Sequence, residues 1–201
     1  MSISEDERTV MAAIDWIVDK NHEFGGIAIF CHPFWRPELR LNLTSKVRQY
    51  ILENGKYDAV EVIGLGGRSK EFFEDNINCL NWLVDESVRC GRRIPVTGST
   101  DSHDAQSISG KQYTLLFAKE NSLLSVLEAV KSGKTITVSS NYGGYPLMYG
   151  EHRLVKYANF LLREFYPEHD EICAVEGTMM LQALRGSCEQ ALAADYEKKQ
   201  N

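Results

Sequence analysis

Residues 26–33 read GIAIFCHP, an apolar run entered through Gly25 and Gly26 and stopped by His32 and Pro33. Six consecutive residues without a charge, from Gly26 to Cys31, have the length and composition of a short strand covered on both faces, as strands of parallel sheets are. Upstream, Ser4 and Glu7 form a capping-box pattern, and Val10, Ala13, Ile14 and Ile17 recur at helical spacing, which predicts a helix that exits through the glycines. Downstream the same pairing returns. A helix expected over 43–53 stops at Asn54-Gly55 and leads into the strand Ala59 to Ile63, and a longer one over 69–90 stops at Gly91 and leads into Ile94 to Gly98. Gln112 to Ala118 then reads as a strand, Asn121 as the cap of a helix ending at Gly133, and Thr135 to Ser139 as a further strand.

Helices alternating with five short buried strands predict an α/β protein with a parallel sheet, because parallel neighbours need a crossover and the crossover is usually a helix. A complete (β/α)8 barrel takes about 250 residues and about 200 at the least. Only about 140 of the 201 residues are α/β here, so the pattern suits part of a barrel or an open sheet. The stretch NYGGYP is a loop, and from Glu151 the text turns helical, with Leu154, Tyr157, Ala158, Leu161, Leu162 and Phe165 on one face. Further helices are expected near 171–184 and 187–197. The expected division is an α/β portion over 1–145 and a helical tail or appended module over 146–201.

Composition narrows the function. With 43% hydrophobic and 25% charged positions the chain can bury a core, and no apolar run approaches the roughly 18 residues of a membrane span. The acidic start MSISEDERTV is not a secretory signal, so a cytoplasmic protein is expected. A net charge of −6 with no basic stripe gives no reason to expect a surface-bound nucleic acid. The five cysteines contain no C-x-x-C pair and are expected to be reduced and mostly buried. Trp16, Phe72, Phe73 and Trp82, at helical spacing, are expected in the core.

In parallel α/β folds the chemistry sits where strands end. The first strand ends in His32-Pro33, with the proline expected to hold His32 in extended or polyproline geometry at the rim. The third runs out through Ser99 and Thr100 into Asp101-Ser102-His103. Asp101 and His103 are two apart, so in extended backbone both project from one face, and a carboxylate and an imidazole that converge suit zinc, manganese or iron better than calcium. Glu61 lies in an apolar strand and must be paired, whether it orients a metal-binding histidine or ligates directly; the supporting role is preferred. Arg36, in HPFWRP, is either a clamp for a phosphate or a solvated loop arginine. Gly64 to Arg68, GLGGR, lacks both a dinucleotide and a P-loop pattern and reads as a turn, and no G-x-S-x-G elbow supports a serine hydrolase.

Four stretches in this order resemble the PHP domain family (polymerase and histidinol phosphatase): IAIFCHPFW, YDAVEVIG, VTGSTDSHD and QYTLLFAKENSLLSVLEAVKSGKTITVSS. The resemblance runs from about residue 5 to 140. It implies a (β/α)7 barrel whose strand mouths hold two or three divalent metals, Mn, Zn or Fe, and hydrolyse small-molecule phosphate esters. Residue by residue, His32 matches a histidine ligand, and Asp101 and His103 match the closing aspartate and histidine. The family's leading H-x-H strand has no counterpart ahead of His32, so the chain is expected to be the C-terminal portion of such a barrel, a partial (β/α)7 barrel followed by a helical segment. The expected function is metal-dependent phosphate-ester hydrolysis, incomplete in this chain. Two alternatives are a non-catalytic binding or assembly protein with a degenerate site, for which the open barrel edge offers a route to self-association, and a metal-dependent amidohydrolase.

Overall fold

The computed structural model describes residues 3–34, 43–54, 56–62, 70–100, 112–140 and 146–185, and of 70–76 the main chain. The chain divides into two compact units, Met1–Val155 and Lys156–Asn201.

The first unit opens with helix α1 (Glu5–Glu23), and its start is the capping box the sequence spells. The Ser4 hydroxyl accepts the Glu7 N–H at 3.2 Å, and Glu7 Oε2 accepts the Ser4 N–H at 2.8 Å. The other oxygen of Glu7 accepts the Thr44 hydroxyl at 2.8 Å, tying the head of α1 to the head of α2 (Ser45–Asn54). These bonds, that from the Ser4 N–H foremost, hold the Glu7 carboxyl down at a pKa of about 2. At the other end of α1, His22 Nε2 lies 2.7 Å from Asp58 Oδ2, which also accepts the Ala28 N–H at 2.8 Å. One carboxylate therefore clasps the exit of α1 to the entries of β1 (Ile29–Phe30) and β2 (Ala59–Glu61).

Strands β1, β2 and β3 (Val96–Thr97) form a parallel sheet in that order, connected by α2 and by α3 (Lys70–Cys90). Central β2 is buried at every residue, and Val60, Val62, Cys79, Leu83, Ile94 and Val96 make the core, with Phe34, Tyr57, Trp82 and Tyr149 packed against it. The burial of Tyr57 pushes its phenol up to about 12.

The second sheet corrects the expected barrel. Strands β4 (Gln112–Leu116), β5 (Thr135–Ser139) and β6 (Leu147–Gly150) pair antiparallel in sequence order, with α4 (Leu123–Lys131) between β4 and β5. The described strands thus make two separate three-stranded sheets, one parallel and one antiparallel; no barrel closes, partial (β/α)7 or otherwise. The residues explain the difference. Thr135, Thr137 and Ser139 alternate with Ile136 and Val138, and Gln112 and Thr114 with Tyr113 and Leu115, the period-two pattern of a sheet with one polar and one apolar face.

The polar face is buried against β3 by hydrogen bonds rather than by apolar contact. The Thr135 hydroxyl donates to the Val96 carbonyl at 2.6 Å, and the Thr114 hydroxyl accepts the Gly98 N–H at 2.8 Å and donates to the Gly98 carbonyl at 2.7 Å. This approach requires a glycine: a Cβ on Gly98 would lie 1.9 Å from Thr137 Oγ1.

Three further expectations are corrected. Strand β1 is the sheet's edge, and Ile29 is 37% exposed rather than covered on both faces. Trp16 is 63% exposed, as are Val10 and Ile17 of α1 and Phe24 just after it to differing degrees, while Met11 is the helix's buried residue. Among the described cysteines Cys79 is buried, and Cys31, Cys90 and Cys173 are exposed.

In the second unit the chain stays helical from the end of α5 (His152–Phe160) through a π-helical turn, Leu161–Phe165, into α6 (Tyr166–Leu184). The π turn ends two residues before Pro167, which has no N–H to give the preceding turn. Ala158 is buried, whereas Phe160, Phe165, Ile172 and Leu184 are exposed. The helix expected over 187–197 lies outside the described residues. No described helix is long and apolar enough to cross a membrane.

Candidate functional site

The three parallel strands end together, and the polar groups they carry converge on one carboxylate. Glu61 closes β2 and is 8% exposed. Its Oε2 accepts the main-chain N–H of His32, beyond the end of β1, at 3.1 Å, and its Oε1 accepts the hydroxyl of Ser99, beyond the end of β3, at 2.5 Å. One side chain therefore joins all three strand ends. Buried carboxylates persist where hydrogen bonds replace the water they lose, and here each oxygen has a donor.

The bond to Glu61 also accounts for a departure from expectation at His32. Its φ is +30°, not the extended geometry expected ahead of Pro33. Positive φ is uncommon outside glycine, with histidine among the residues that adopt it more readily, and such backbone persists where the surroundings over-determine it. Turning there lets the His32 N–H reach Glu61, while Pro33 is buried behind it. His32 as a residue is half-buried.

Behind the rim, the Cys79 thiol of α3 donates weakly to the Glu61 carbonyl, Sγ to O 4.0 Å. Burial, and secondarily the negative charge of Glu61, push this thiol up to about 12, so it is inert packing and not a nucleophile. To one side a cavity of about 630 Å³ opens between α2 and α3. Phe34 and Trp82 form part of its wall, their ring centres 6.4 Å apart, with the Arg48 guanidinium 5.2 Å from the Phe34 ring centre. The Glu86 carboxylate on this wall is bonded by Arg89, which lowers its pKa, so that pair offers a ligand no unmatched charge.

The residues singled out from the sequence thus fall into two groups. His32 and Glu61 are brought together through the His32 main-chain N–H, and each Glu61 oxygen accepts one hydrogen bond. Asp101, His103 and Arg36 lie outside the described residues, as does the turn Gly64 to Arg68. Ser99 was missed as a site residue: its hydroxyl sits two positions before Asp101, and the signal that could have found it is that a buried Glu61 needs donors from both neighbouring strands.

Among the described residues no group of three His, Cys, Asp or Glu side chains is placed to hold a metal. At the ends of the parallel strands the described residues include His32 and Glu61, while Asp101 and His103, the other expected ligands, lie outside them. Comparison with known proteins found no matching family model, no matching curated protein and no matching solved structure.

Proposed function

We propose that the rim formed by the ends of β1, β2 and β3 is a divalent-metal site for the hydrolysis of phosphate esters. What carries the reading is Glu61: a buried carboxylate, hydrogen-bonded by His32 and Ser99, that ties the strand ending at His32 to the strand whose sequence continues to Asp101 and His103. His32, Asp101 and His103 supply two nitrogen donors and one oxygen donor, the number of protein ligands a catalytic zinc-type site uses while leaving a position open. A bound divalent ion there lowers the pKa of its water toward neutrality and screens charge on phosphoryl oxygens. Glu61 acts one shell out, holding His32 in its turned backbone. Arg36, four residues after His32, is the candidate for gripping the phosphate.

The test is metal analysis of the 201-residue chain dialysed against manganese or zinc, alongside hydrolysis of a phosphomonoester and an acyl amide. Bound metal should be lost in His32→Ala and Asp101→Ala, and turnover should be confined to the phosphate ester. Metal content unchanged by Asp101→Ala refutes the ligand assignment, and turnover of the amide alone moves the reading to an amidohydrolase.

A second reading is favoured by a specific observation. Val10, Trp16 and Ile17 are exposed apolar residues of α1, Phe24 is exposed just after it, and β1 is an edge strand. Such a surface is what a binding or assembly protein with a degenerate rim would carry. Sedimentation of the chain as a stable oligomer without bound metal would support it.

A further inference from the structure

Among the described residues, two buried side-chain polar atoms have no hydrogen-bond partner, Gln112 Oε1 and Ser139 Oγ. Ser139 is 1% exposed. Buried hydroxyls and amides that go unpaired cost free energy, so an orphaned pair points to a group that completes it. The two are register partners across β4 and β5, which puts their side chains on one face with Cβ atoms about 4.5–5.5 Å apart. It is the same face that carries Thr114, Thr135 and Thr137.

That face locates the pair. Thr135 bonds Val96, and Thr137 meets Gly98, so β5 advances alongside β3 in the same direction, and Ser139 lies level with Thr100. Ser99, the residue before Thr100, is the one that donates to Glu61. The orphaned atoms therefore stand at the rim where the three parallel strands end.

We infer that Gln112 and Ser139 form a subsite that recognises an alcohol hydroxyl, namely a hydroxyl of the polyol or sugar portion of the phosphate ester. A hydroxyl donates to Gln112 Oε1 and accepts from the Ser139 hydroxyl. A phosphoryl oxygen would be repelled by Oε1. A cation would be held by two neutral oxygens with no compensating charge. The inference rests on the phosphate-ester reading for its ligand, while the unsatisfied atoms stand independently of it.

The experiment compares the wild-type chain with Ser139→Ala and Gln112→Met. Without ligand, both variants should melt at or above the wild-type temperature, since an unpaired polar group has been replaced by an apolar one. With manganese present, calorimetry should show glycerol 3-phosphate binding about tenfold more tightly than methyl phosphate to the wild type. Each variant should bind both equally, with methyl phosphate affinity unchanged. A preference that survives in the variants, or a lower melting temperature without ligand, overturns the subsite and leaves the phosphate-ester reading standing. Failure of methyl phosphate to bind the wild type sinks that reading instead. Free glycerol, titrated while the Ser139 amide resonance is followed, then decides the subsite alone: a saturable shift in the wild type that Gln112→Met abolishes supports it, and no saturable shift refutes it.

Discussion

Replacing Glu61 tests whether one carboxylate organises the three strand ends. In Glu61→Ala the His32 N–H and the Ser99 hydroxyl, both part-buried, lose their acceptor. Hydrogen bonds to charged groups contribute about 1.5–3 kcal/mol each, and a main-chain donor left unsatisfied costs about 1–3 kcal/mol. The Ser99 hydroxyl can rotate to find another acceptor, whereas the His32 N–H is fixed by its backbone, so the expected loss is about 3–5 kcal/mol rather than the full sum. For a unit of this size that corresponds to a fall in melting temperature of about 6–20 °C. Glu61→Gln separates hydrogen bonding from charge. Its Oε1 can accept from His32 while its amide nitrogen donates to the Ser99 oxygen, so the network survives with neutral partners and the loss is about 1 kcal/mol. Ser99→Ala, which leaves the His32 bond intact, falls between the two. Urea unfolding followed by far-ultraviolet circular dichroism reads all three, provided the slope with denaturant is unchanged. A Glu61→Ala protein within about 1 kcal/mol of wild type refutes the reasoning, as does a Glu61→Gln protein as unstable as Glu61→Ala, because the negative charge and not the bonding would then be what counts.

Gly98→Ala should destabilise by about 1–3 kcal/mol, because its Cβ would meet Thr137 Oγ1 at 1.9 Å and Thr137 Cβ at 3.0 Å. Thr137→Ala removes the first clash, so the double variant should lose less than the two single losses added, as read by a double-mutant cycle in urea. At alkaline pH the stability should fall as Cys79 titrates. Its folded pKa of about 12 lies above the reference value of 9.0, so stability is fully present below pH 9 and is lost as the pH rises toward 12. The shift corresponds to roughly 4 kcal/mol at about 1.4 kcal/mol per unit. Cys79→Ala should make this limb shallower, leaving the part that comes from the buried phenol of Tyr57, at the expense of a constant loss at neutral pH, and a limb that stays as steep contradicts the assignment.

The part of the fold that could be read from the sequence is the part governed by local chemistry. Ser4 and Glu7 announce the start of α1 because a capping box needs only four residues, and helices before β1, β2 and β3 follow from apolar periodicity ended by glycine. What lay beyond such a reading depends on which surfaces meet. The strands 112–116 and 135–139 were legible as strands, but their pairing was not taken from their own alternation of Thr and Ser with Val and Ile. Leu147–Gly150, a four-residue strand, is too short to show a period, and it is its pairing with β5 that makes it a strand. Trp16 illustrates the complementary failure: helical spacing identifies an apolar face but not whether a partner covers it.

The candidate site divides along the same line. His32 was legible because Pro33 ends the strand at it, and Glu61 because an acid among valines needs an explanation. Its explanation was not legible, since the donors come from residues 29 positions before it and 38 after it. That separation has a consequence for the antiparallel sheet. Glu61 holds the end of β3 through Ser99, and the neighbouring Gly98 is held from the other side by Thr114. Consecutive residues of one strand end are therefore anchored to different sheets, one through a charge and one through a neutral hydroxyl. Loss of the Glu61 anchor frees Ser99 while leaving Gly98 attached, so the damage of Glu61→Ala should concentrate at β1 and the His32 turn. Hydrogen exchange gives the check: amides near His32 should lose protection in Glu61→Ala, while Thr137 and Val138 keep theirs. Equal loss in both sheets would mean that the polar face of β4 and β5 depends on Glu61 too, and that the two sheets open as one unit.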